Sequence, residues 1–182
     1  MSRDIHSLGF IGLGTMGGAV ASRLLGGPWQ VTVFDLVPAA VAKLEKQGAT
    51  TAADAREAVA GRQVVMTCLP TPELVEAFWN EQASALNADA IAVDLSTIDP
   101  ATSRRIARRI GQERFAAATL GKTPALAAKG EIPVFAGGEA ATLRTLAPVL
   151  RRMSNAVFDM GSVEGATMFK LISNMVGMTN LA

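Results

Sequence analysis

The sequence predicts an α/β fold in which a doubly wound, mostly parallel sheet is followed by the start of a long interdomain helix. Short apolar runs rich in β-forming residues alternate along the chain with stretches of helical spacing. Because helices that alternate with strands cover both faces of a sheet, this order favours parallel strands joined by helical crossovers. Pro38, Pro72 and Pro100 stand where helices are expected to begin, in the turn where a missing N–H costs no hydrogen bond.

The strands and helices follow from the apolar spacing. The predicted strands are Leu8–Ile11, Val31–Phe34, Val64–Cys68, Ala90–Asp94, Phe115–Ala118, Val134–Ala136 and Ala156–Phe158. The predicted helices between them are Met16–Leu25, Ala39–Lys46, Pro72–Trp79, Pro100–Ile110 and Ala140–Leu150. After these elements, Ser162–Ala182 is predicted to form one continuous, apolar-rich helix.

The chain is expected to form one principal domain, residues 1–161, and the beginning of a second. With 182 residues, 49% of them apolar, it can bury one full core. Residues 162–182 are predicted to start a truncated helical C-terminal domain, because this helix is apolar on most sides and no partner follows it. Further helices of a longer protein, or a second copy in a homo-oligomer, would cover it.

The composition excludes several kinds of partner and site. Seventeen basic and sixteen acidic residues nearly balance, so no nucleic-acid partner is expected, and the run Arg104–Arg109 is interpreted as the solvated face of a helix. A single cysteine, Cys68, gives neither a disulfide nor a metal-ligand pair, which fits a cytoplasmic protein without a metal site. No stretch has the length and apolarity of a membrane helix or signal peptide.

A glycine-rich turn lies between the first predicted strand and the first predicted helix. In its GxGxxG pattern the first glycine permits a tight turn, the second lets a pyrophosphate approach the backbone, and the third lets the helix pack on the sheet. Free N–H groups at the helix N-terminus would hold the phosphates. The sequence therefore predicts a Rossmann dinucleotide-binding fold; a glycine turn without a ligand is the alternative. The expected cofactor-binding residues are Gly12, Leu13, Gly14, Thr15, Met16 and Gly17.

An acidic residue, Asp35, ends the second predicted strand, close to the spacing of about 20 residues from the turn that suits an acid binding the adenosine ribose. Its carboxylate would accept hydrogen bonds from the ribose diol and repel a 2′-phosphate. The next residues, Leu36 and Val37, supply no cation for that phosphate, so NAD is favoured over NADP. A cap of the following helix is the alternative role for Asp35.

Further motifs follow the glycine turn in a fixed order: Gly9–Gly17, then Cys68-Leu69-Pro70-Thr71, then the run from Asp94 to Pro100, and finally Gly165 through Lys170 to Asn174. With these motifs the whole chain resembles the β-hydroxyacid dehydrogenases, a family that includes 3-hydroxyisobutyrate and tartronate semialdehyde reductases. The resemblance implies that Leu69 and Pro70 lie against the cofactor and that Ser96 and Thr97 lie near the nicotinamide and the substrate. Without the resemblance, Ser96 would be interpreted as a helix cap.

Lys170 and Asn174 share one face of the last predicted helix, among apolar neighbours. The resemblance implies that Lys170 is the general acid or base at the substrate oxygen and that Asn174 helps to hold the substrate. A desolvated lysine can have its pKa lowered toward neutrality for such a role. A lysine that only extends its ammonium group toward solvent at a helix end is the alternative.

The substrate loop departs from the family pattern. Where the family has Asp-Ala-Pro-Val-Ser-Gly-Gly, this chain has the run from Ala117 to Thr123, and Ser173 replaces an asparagine that is common in the family. The triplet Gly121-Lys122-Thr123 is similar to the loop of sulfolactaldehyde reductases, in which an arginine holds the sulfonate. Lys122 would then hold an anionic group of the substrate, although lysine lacks the bidentate fork of arginine. A solvated loop lysine is the alternative.

These observations favour an NAD-dependent oxidoreductase that transfers a hydride between nicotinamide and a small 3-hydroxy acid or its semialdehyde, sulfonate-bearing substrates included. The expected partner is thus a small anionic hydroxy acid or aldehyde. Residues 1–182 alone are expected to bind NAD weakly and to turn over poorly. A non-catalytic dinucleotide-binding module and an enzyme similar to imine reductases remain as alternatives.

Overall fold

The computed structural model describes residues 4–179 as an eight-stranded sheet with helices on both faces. The strands are β1 Ser7–Ile11, β2 Gln30–Phe34, β3 Thr50–Thr51, β4 Val64–Thr67, β5 Ile91–Asp94, β6 Phe115–Leu120, β7 Pro133–Gly138 and β8 Ala156–Asp159. The helices are α1 Thr15–Leu25, α2 Pro38–Glu45, α3 Ala55–Val59, α4 Pro72–Gln82, α5 Pro100–Ile110, α6 Pro124–Lys129, α7 Ala140–Met153 and α8 Val163–Thr179. Short 3₁₀ turns cover Ala83–Ala85 and Gln112–Arg114.

The strand order across the sheet is β3-β2-β1-β4-β5-β6-β7-β8. Strands β1 to β6 run parallel, β7 is antiparallel to β6, and β8 is parallel to β7. The order reverses direction between β1 and β4, and in open α/β sheets ligands bind at such a switch point, outside the carboxyl ends of the strands. The topology therefore directs attention to the loops after β1, β4 and β5.

Two apolar cores, one on each face of the sheet, hold the helices in place. The residues Val20, Leu24, Leu44 and Leu146 pack α1, α2 and α7 on one face. On the other face α3, α4, α5 and α8 pack through residues that include Val59, Trp79, Ile106 and Ala166. Residues of the central strands are buried on both faces, as expected for parallel strands with helical crossovers.

The predicted α/β fold with a mostly parallel sheet is confirmed. Every predicted strand and helix is present, and Pro38, Pro72 and Pro100 each begin a helix. The prediction missed β3, α3 and α6, which have two, five and six residues and are too short to show a periodic pattern.

The predicted final helix is also present, as α8 over Val163–Thr179, whereas residues 180–182 lie outside the described part of the chain. Its outer side exposes apolar side chains, among them Phe169, Ile172, Met175 and Val176. Within residues 4–179 no helix combines the length and apolarity needed to cross a bilayer.

Candidate functional site

The glycine turn after β1 has the steric features of a dinucleotide loop. Gly12 has a φ of +91°, and a Cβ there would lie 2.3 Å from the carbonyl oxygen of Cys68. At Gly17 a Cβ would lie 2.0 Å from the Gly12 carbonyl oxygen. A Cβ at Gly14 would instead meet no atom within 4 Å, and Gly14 and Thr15 are exposed. The buried glycines thus make the turn tight, while the exposed one leaves room for a ligand beside the first turn of α1.

Asp35 lies next to this turn. Its carboxylate accepts hydrogen bonds from the backbone N–H groups of Leu13, at 2.5 Å, and Val37, at 2.8 Å. The first bond ties the end of β2 to the glycine turn, and the second closes a local turn before α2. Because an ionised carboxylate offers about four acceptor positions, these two bonds leave positions for a further donor such as a ribose hydroxyl. No side chain caps α2, so the structure gives Asp35 no role as a side-chain cap of that helix.

The loops after β4 and β5 are joined by a buried chain of hydrogen bonds. Ser96 Oγ donates to Asp94 Oδ1 at 2.7 Å and accepts a hydrogen bond from the Leu69 backbone N–H at 2.9 Å. Thr67 Oγ1 donates to the same Asp94 oxygen at 2.8 Å and accepts from Trp79 Nε1 at 3.2 Å. The Ser96 hydroxyl therefore fixes the predicted cofactor turn to a strand end rather than facing solvent.

Burial sets the protonation of this region. Asp94 is fully buried, and its second oxygen, Oδ2, has no hydrogen-bond partner within the described residues. Burial raises the pKa of Asp94 to about 6, although hydrogen bonds from Ser96 and Thr67 oppose that shift. Burial, with a smaller contribution from the Asp94 charge, raises the pKa of the neighbouring Cys68 thiol to about 12, so this thiol stays protonated.

The other predicted residues of these two loops lie at the surface. Leu69 is half-buried, and Pro70 and Thr97 are exposed at the carboxyl edge of the sheet, near the glycine turn. Pairing of β1 with β4 and of β4 with β5 brings the three loops together, because the strands run parallel and end at the same edge. The structure thus gathers the predicted cofactor-binding residues at one edge.

Helix α8 runs across the sheet toward that edge. At its start, a Cβ on Gly137 would lie 1.9 Å from the Ser162 carbonyl oxygen. Two turns later the ring of Phe169 lies 4.6 Å from the ring of Phe135. Strand β7 is antiparallel to β6, so Phe135 pairs with Thr119, near the carboxyl end of β6, whereas Gly137 pairs with Ala117, nearer its start. The helix therefore advances toward the end of β6, which is where the loop of Gly121 begins.

Lys170 lies on α8 one turn beyond Ala166, and Asn174 one turn further. Lys170 is half-buried, and burial lowers its pKa below the ordinary lysine value, whereas Asn174 is exposed. The buried Thr119 Oγ1 donates at 3.2 Å to the Ala166 carbonyl, the helix oxygen that precedes Lys170 by one turn. Strand β6 is thereby bonded to the turn that carries Lys170.

The loop Gly121–Thr123 follows β6 at the same edge. Lys122 is the non-glycine residue of the described chain with a positive φ, +58°, and it is exposed. Its Nζ donates at 3.2 Å to the carbonyl oxygen of Glu131. Because left-handed backbone costs a side-chain-bearing residue roughly 1–2 kcal/mol, the loop holds this lysine at an energetic cost, a property common at functional positions.

Features outside this edge carry less chemistry. Two surface clefts, of about 390 and about 510 Å³, lie beside α7 and at the starts of α7 and α8, and neither includes the glycine turn or Lys170. In the arginine run, Arg105 makes a bidentate ion pair with Glu76, and Arg104 lies 3.8 Å from Glu164. These pairs fit the interpretation of the run as a solvated helix face.

Three residues of the site were missed by the sequence analysis as individual site residues: Asp94, Thr67 and Thr119. One sequence feature could have revealed Asp94: it is a carboxylate at the end of an otherwise apolar strand, so it must be either exposed or held by hydrogen bonds. Thr67 and Thr119 had none, since threonine is common in strands for its packing alone.

Comparisons with known proteins agree with this geometry. Residues 7–161 match the family described as the NAD binding domain of 6-phosphogluconate dehydrogenase. The 3-sulfolactaldehyde reductase of Escherichia coli is 32% identical over 177 residues, covering 94% of this chain and 59% of that protein. The NAD-dependent L-serine dehydrogenase of Pseudomonas aeruginosa is 34% identical over 178 residues, with the same coverages.

A solved structure shows the same architecture. The 3-hydroxyisobutyrate dehydrogenase of Mycobacterium tuberculosis, determined with L-serine, superposes with a TM-score of 0.90 at 28% identity, covering 95% of this chain and 60% of that one. The chain thus spans about 60% of the length of these relatives. The predicted resemblance and the predicted cofactor, NAD, are both confirmed. The chain belongs to the family of the NAD binding domain of 6-phosphogluconate dehydrogenase.

Proposed function

We propose that this chain is the cofactor-binding and proton-donating part of an enzyme that transfers a hydride between NAD and a small 3-hydroxy acid or its semialdehyde. The observation that carries the proposal is the half-buried Lys170, whose helix advances to the sheet edge that holds the glycine turn. A dinucleotide-binding module without catalysis has no use for a desolvated ammonium group beside its cofactor edge.

The cofactor supplies the chemistry of the reaction, because nicotinamide accepts or donates the hydride. The chain's own residues hold and orient it. The N–H groups at the start of α1, those of Thr15 and Met16, bind the pyrophosphate. Asp35, which holds the Leu13 N–H, accepts hydrogen bonds from the ribose. Leu69, Pro70 and Thr97 border the nicotinamide end. The open space at Gly14 and the free acceptor positions on Asp35 support this fit.

Lys170 is the proton donor during aldehyde reduction and the proton acceptor in the reverse direction. Burial lowers its pKa, which brings the group closer to the range in which an amine exchanges protons efficiently. Thr119 positions it, because its hydroxyl bonds the carbonyl one turn earlier on α8. Asn174, on the same helix face, orients the substrate.

The substrate carries an anionic group that Lys122 binds, with Gly121 and Thr123 at its sides. The left-handed backbone of Lys122 and its exposure at the carboxyl edge support this role. A sulfonate is one candidate, since 3-sulfolactaldehyde reductase is among the relatives of the chain. Carboxylate is the other, as in the substrates named for the hydroxyisobutyrate and serine dehydrogenases. Ser96, buried with both hydrogen bonds made, acts on the substrate only through the loop that it fixes.

The domain arrangement is part of the proposal. Residues 1–161 bind NAD, and residues 162–182, which include α8, begin a helical second domain. The exposed apolar side of α8 is covered by the rest of that domain, or by a second copy of the protein in a homo-oligomer. A cytoplasmic location belongs to the same proposal.

The test is an NADH-oxidation screen over short aldehydes that bear carboxylate, sulfonate or phosphate, with cyclic imines alongside. The chain is tested alone and joined to the helical second domain of a relative, because weak turnover is expected from the chain alone. Lys170→Ala should lower kcat/KM by at least about a hundredfold, a typical contribution of a general acid. Lys129→Ala, at the end of α6, is the matched control and should leave kcat/KM unchanged.

The pH profile gives an independent reading. Because burial lowers the pKa of Lys170, aldehyde reduction should begin to decline with rising pH below the ordinary lysine pKa. Unchanged turnover in Lys170→Ala would eliminate the proposed mechanism. Preference for cyclic imines over aldehydes would favour the imine-reductase alternative, and NADH binding without turnover of any compound would favour a binding module.

A further inference from the structure

A buried chain of hydrogen bonds lies under the cofactor loops, and Asp94 is at its centre. This side chain is fully buried and so touches neither cofactor nor substrate. Yet its Oδ1 accepts hydrogen bonds from Ser96 and Thr67, and through Ser96 it is linked to the Leu69 backbone. Burying a carboxylate at such a place is costly.

Asp94 fixes the direction of the Ser96 hydroxyl. A hydroxyl has one hydrogen to donate and lone pairs that accept. An ionised Asp94 has no hydrogen to donate, so the Ser96 hydroxyl must donate its hydrogen to Asp94. The lone pairs of Ser96 Oγ then face the Leu69 N–H, whose nitrogen lies 2.9 Å from Oγ. An apolar residue in place of Asp94 would let the hydroxyl rotate, and this acceptor would no longer be held in one orientation.

We propose that Asp94 is a positioning residue of the cofactor site, which uses Ser96 to hold the Leu69–Pro70 turn at a fixed place relative to the Ser96–Thr97 turn. Both turns lie at the carboxyl edge beside the glycine loop. Within residues 4–179 the Leu69 N–H has no backbone acceptor, and its hydrogen bond is the one to Ser96. The carboxylate thus preorganises two separate segments that border the nicotinamide end of the site. The inference rests on NAD binding at this edge and not on the identity of the substrate.

The arrangement of Thr67 supports the choice of Asp94 as the anchor. Thr67 donates to the same carboxylate oxygen, and its own oxygen accepts from the indole N–H of the buried Trp79. Asp94 Oδ1 is therefore held from the α4 side as well as from the loop side. Hydrogen bonds from two sides hold the Asp94 side chain in one rotamer. A residue that only filled space would not need to be held in this way.

The experiment measures NADH affinity of the 182-residue chain by fluorescence titration, so it needs no substrate. Ser96→Ala and Asp94→Ala should each weaken NADH binding by roughly five- to tenfold, the equivalent of one lost hydrogen bond of average strength. Asp94→Asn should restore most of the affinity, because its amide oxygen can still accept from Ser96. The double variant Asp94→Ala/Ser96→Ala should bind no more weakly than either single variant, since both act through one link.

Ser154→Ala is the matched control. Ser154 is buried like Ser96, with 5% against 2% exposure, and its hydroxyl also makes backbone hydrogen bonds, to Ile132 and Ala156. It precedes β8, the last strand of the sheet, four strands away from β4 and the turn that Ser96 holds. It should lose stability and keep its NADH affinity. If Asp94→Ala does not fold, the contrast among Ser96→Ala, Asp94→Asn and Ser154→Ala still decides.

Affinity of Ser96→Ala equal to that of the unsubstituted chain, or an equal loss in Ser154→Ala, would overturn the inference while leaving NAD binding intact. Absence of NADH binding by the unsubstituted chain would overturn both the inference and the assignment of the cofactor edge. Normal NADH binding with no turnover of any aldehyde would contradict only the proposed reaction.

Discussion

Replacing Asp94 by Asn should change how the stability of the protein depends on pH. The folded protein holds this carboxyl in a fully buried position, where its pKa is raised from the ordinary 3.8 to about 6. The folded state therefore binds a proton at a pH where the unfolded state does not. The stabilisation from this proton is complete below the unfolded pKa and is lost as the pH rises through the folded pKa.

The magnitude follows from the two pKa values. Since one pKa unit corresponds to about 1.4 kcal/mol, the difference between 3.8 and about 6 is worth about 3 kcal/mol in full. At pH 5 about 1 kcal/mol of this is present, and at pH 8 almost none. Asparagine cannot take up the proton, so the difference in free energy of unfolding between Asp94→Asn and the original protein should shift by about 1 kcal/mol between pH 8 and pH 5, in favour of the original protein at pH 5.

Urea unfolding followed by tryptophan fluorescence measures this difference, since Trp79 is fully buried. Comparing two proteins at each pH removes the contribution of other groups. Glu76 and Asp99, for example, have pKa values lowered by hydrogen bonds from Arg105 and Thr102, so they destabilise both proteins alike on acidification. Parallel curves of unfolding free energy against pH for the two proteins would refute the account of Asp94 as a buried, readily protonated carboxyl.

Three further substitutions test the glycine turn and the substrate loop. Gly14→Ala should leave the melting temperature unchanged and weaken NADH binding, because its Cβ meets no atom of the chain within 4 Å. Gly17→Ala should weaken NADH binding and also cost at least roughly 2 kcal/mol of stability, because its Cβ would lie 2.0 Å from a backbone oxygen. Thermal melts and NADH titrations of both variants check this, and a normal affinity in Gly14→Ala would contradict a pyrophosphate at the turn. Lys122→Gly should raise the melting temperature slightly, because glycine tolerates a φ of +58°, yet raise KM for an anionic aldehyde about tenfold. An unchanged KM would remove Lys122 from the substrate site.

The fold could be predicted from the sequence where the elements are long enough to show their period. Strands such as Val31–Phe34 and helices such as Pro100–Ile110 carry a continuous apolar pattern, and their first-turn prolines mark where helices begin. The two residues of β3 carry no pattern at all. The reversal of β7 was not predictable either, because an antiparallel strand and a parallel one have the same apolar residues when both faces are covered.

The cofactor edge could be predicted to the extent that backbone geometry alone determines it. Gly12 has a φ of +91°, and a Cβ at Gly17 would lie 2.0 Å from a backbone oxygen. Because both positions favour glycine over any other residue, the turn can be recognised directly in the sequence. Hydroxyl orientation leaves no such mark. Ser96 occupies a motif position that the family resemblance assigns to the substrate, yet in the fold this residue is 2% exposed and its hydroxyl is bonded between a carboxylate and a backbone N–H.

The difference between these two cases has a physical origin. A turn is specified by which residues are sterically allowed, and that information is local. The role of Ser96 depends on where Asp94 and Leu69 end after two parallel strands have paired, and pairing is a property of the whole sheet. A serine at the end of a strand therefore contacts a substrate or holds a loop according to whether a buried acceptor lies behind it. In this chain that acceptor is Asp94, so exchanging the carboxylate, rather than the serine alone, is the more informative substitution.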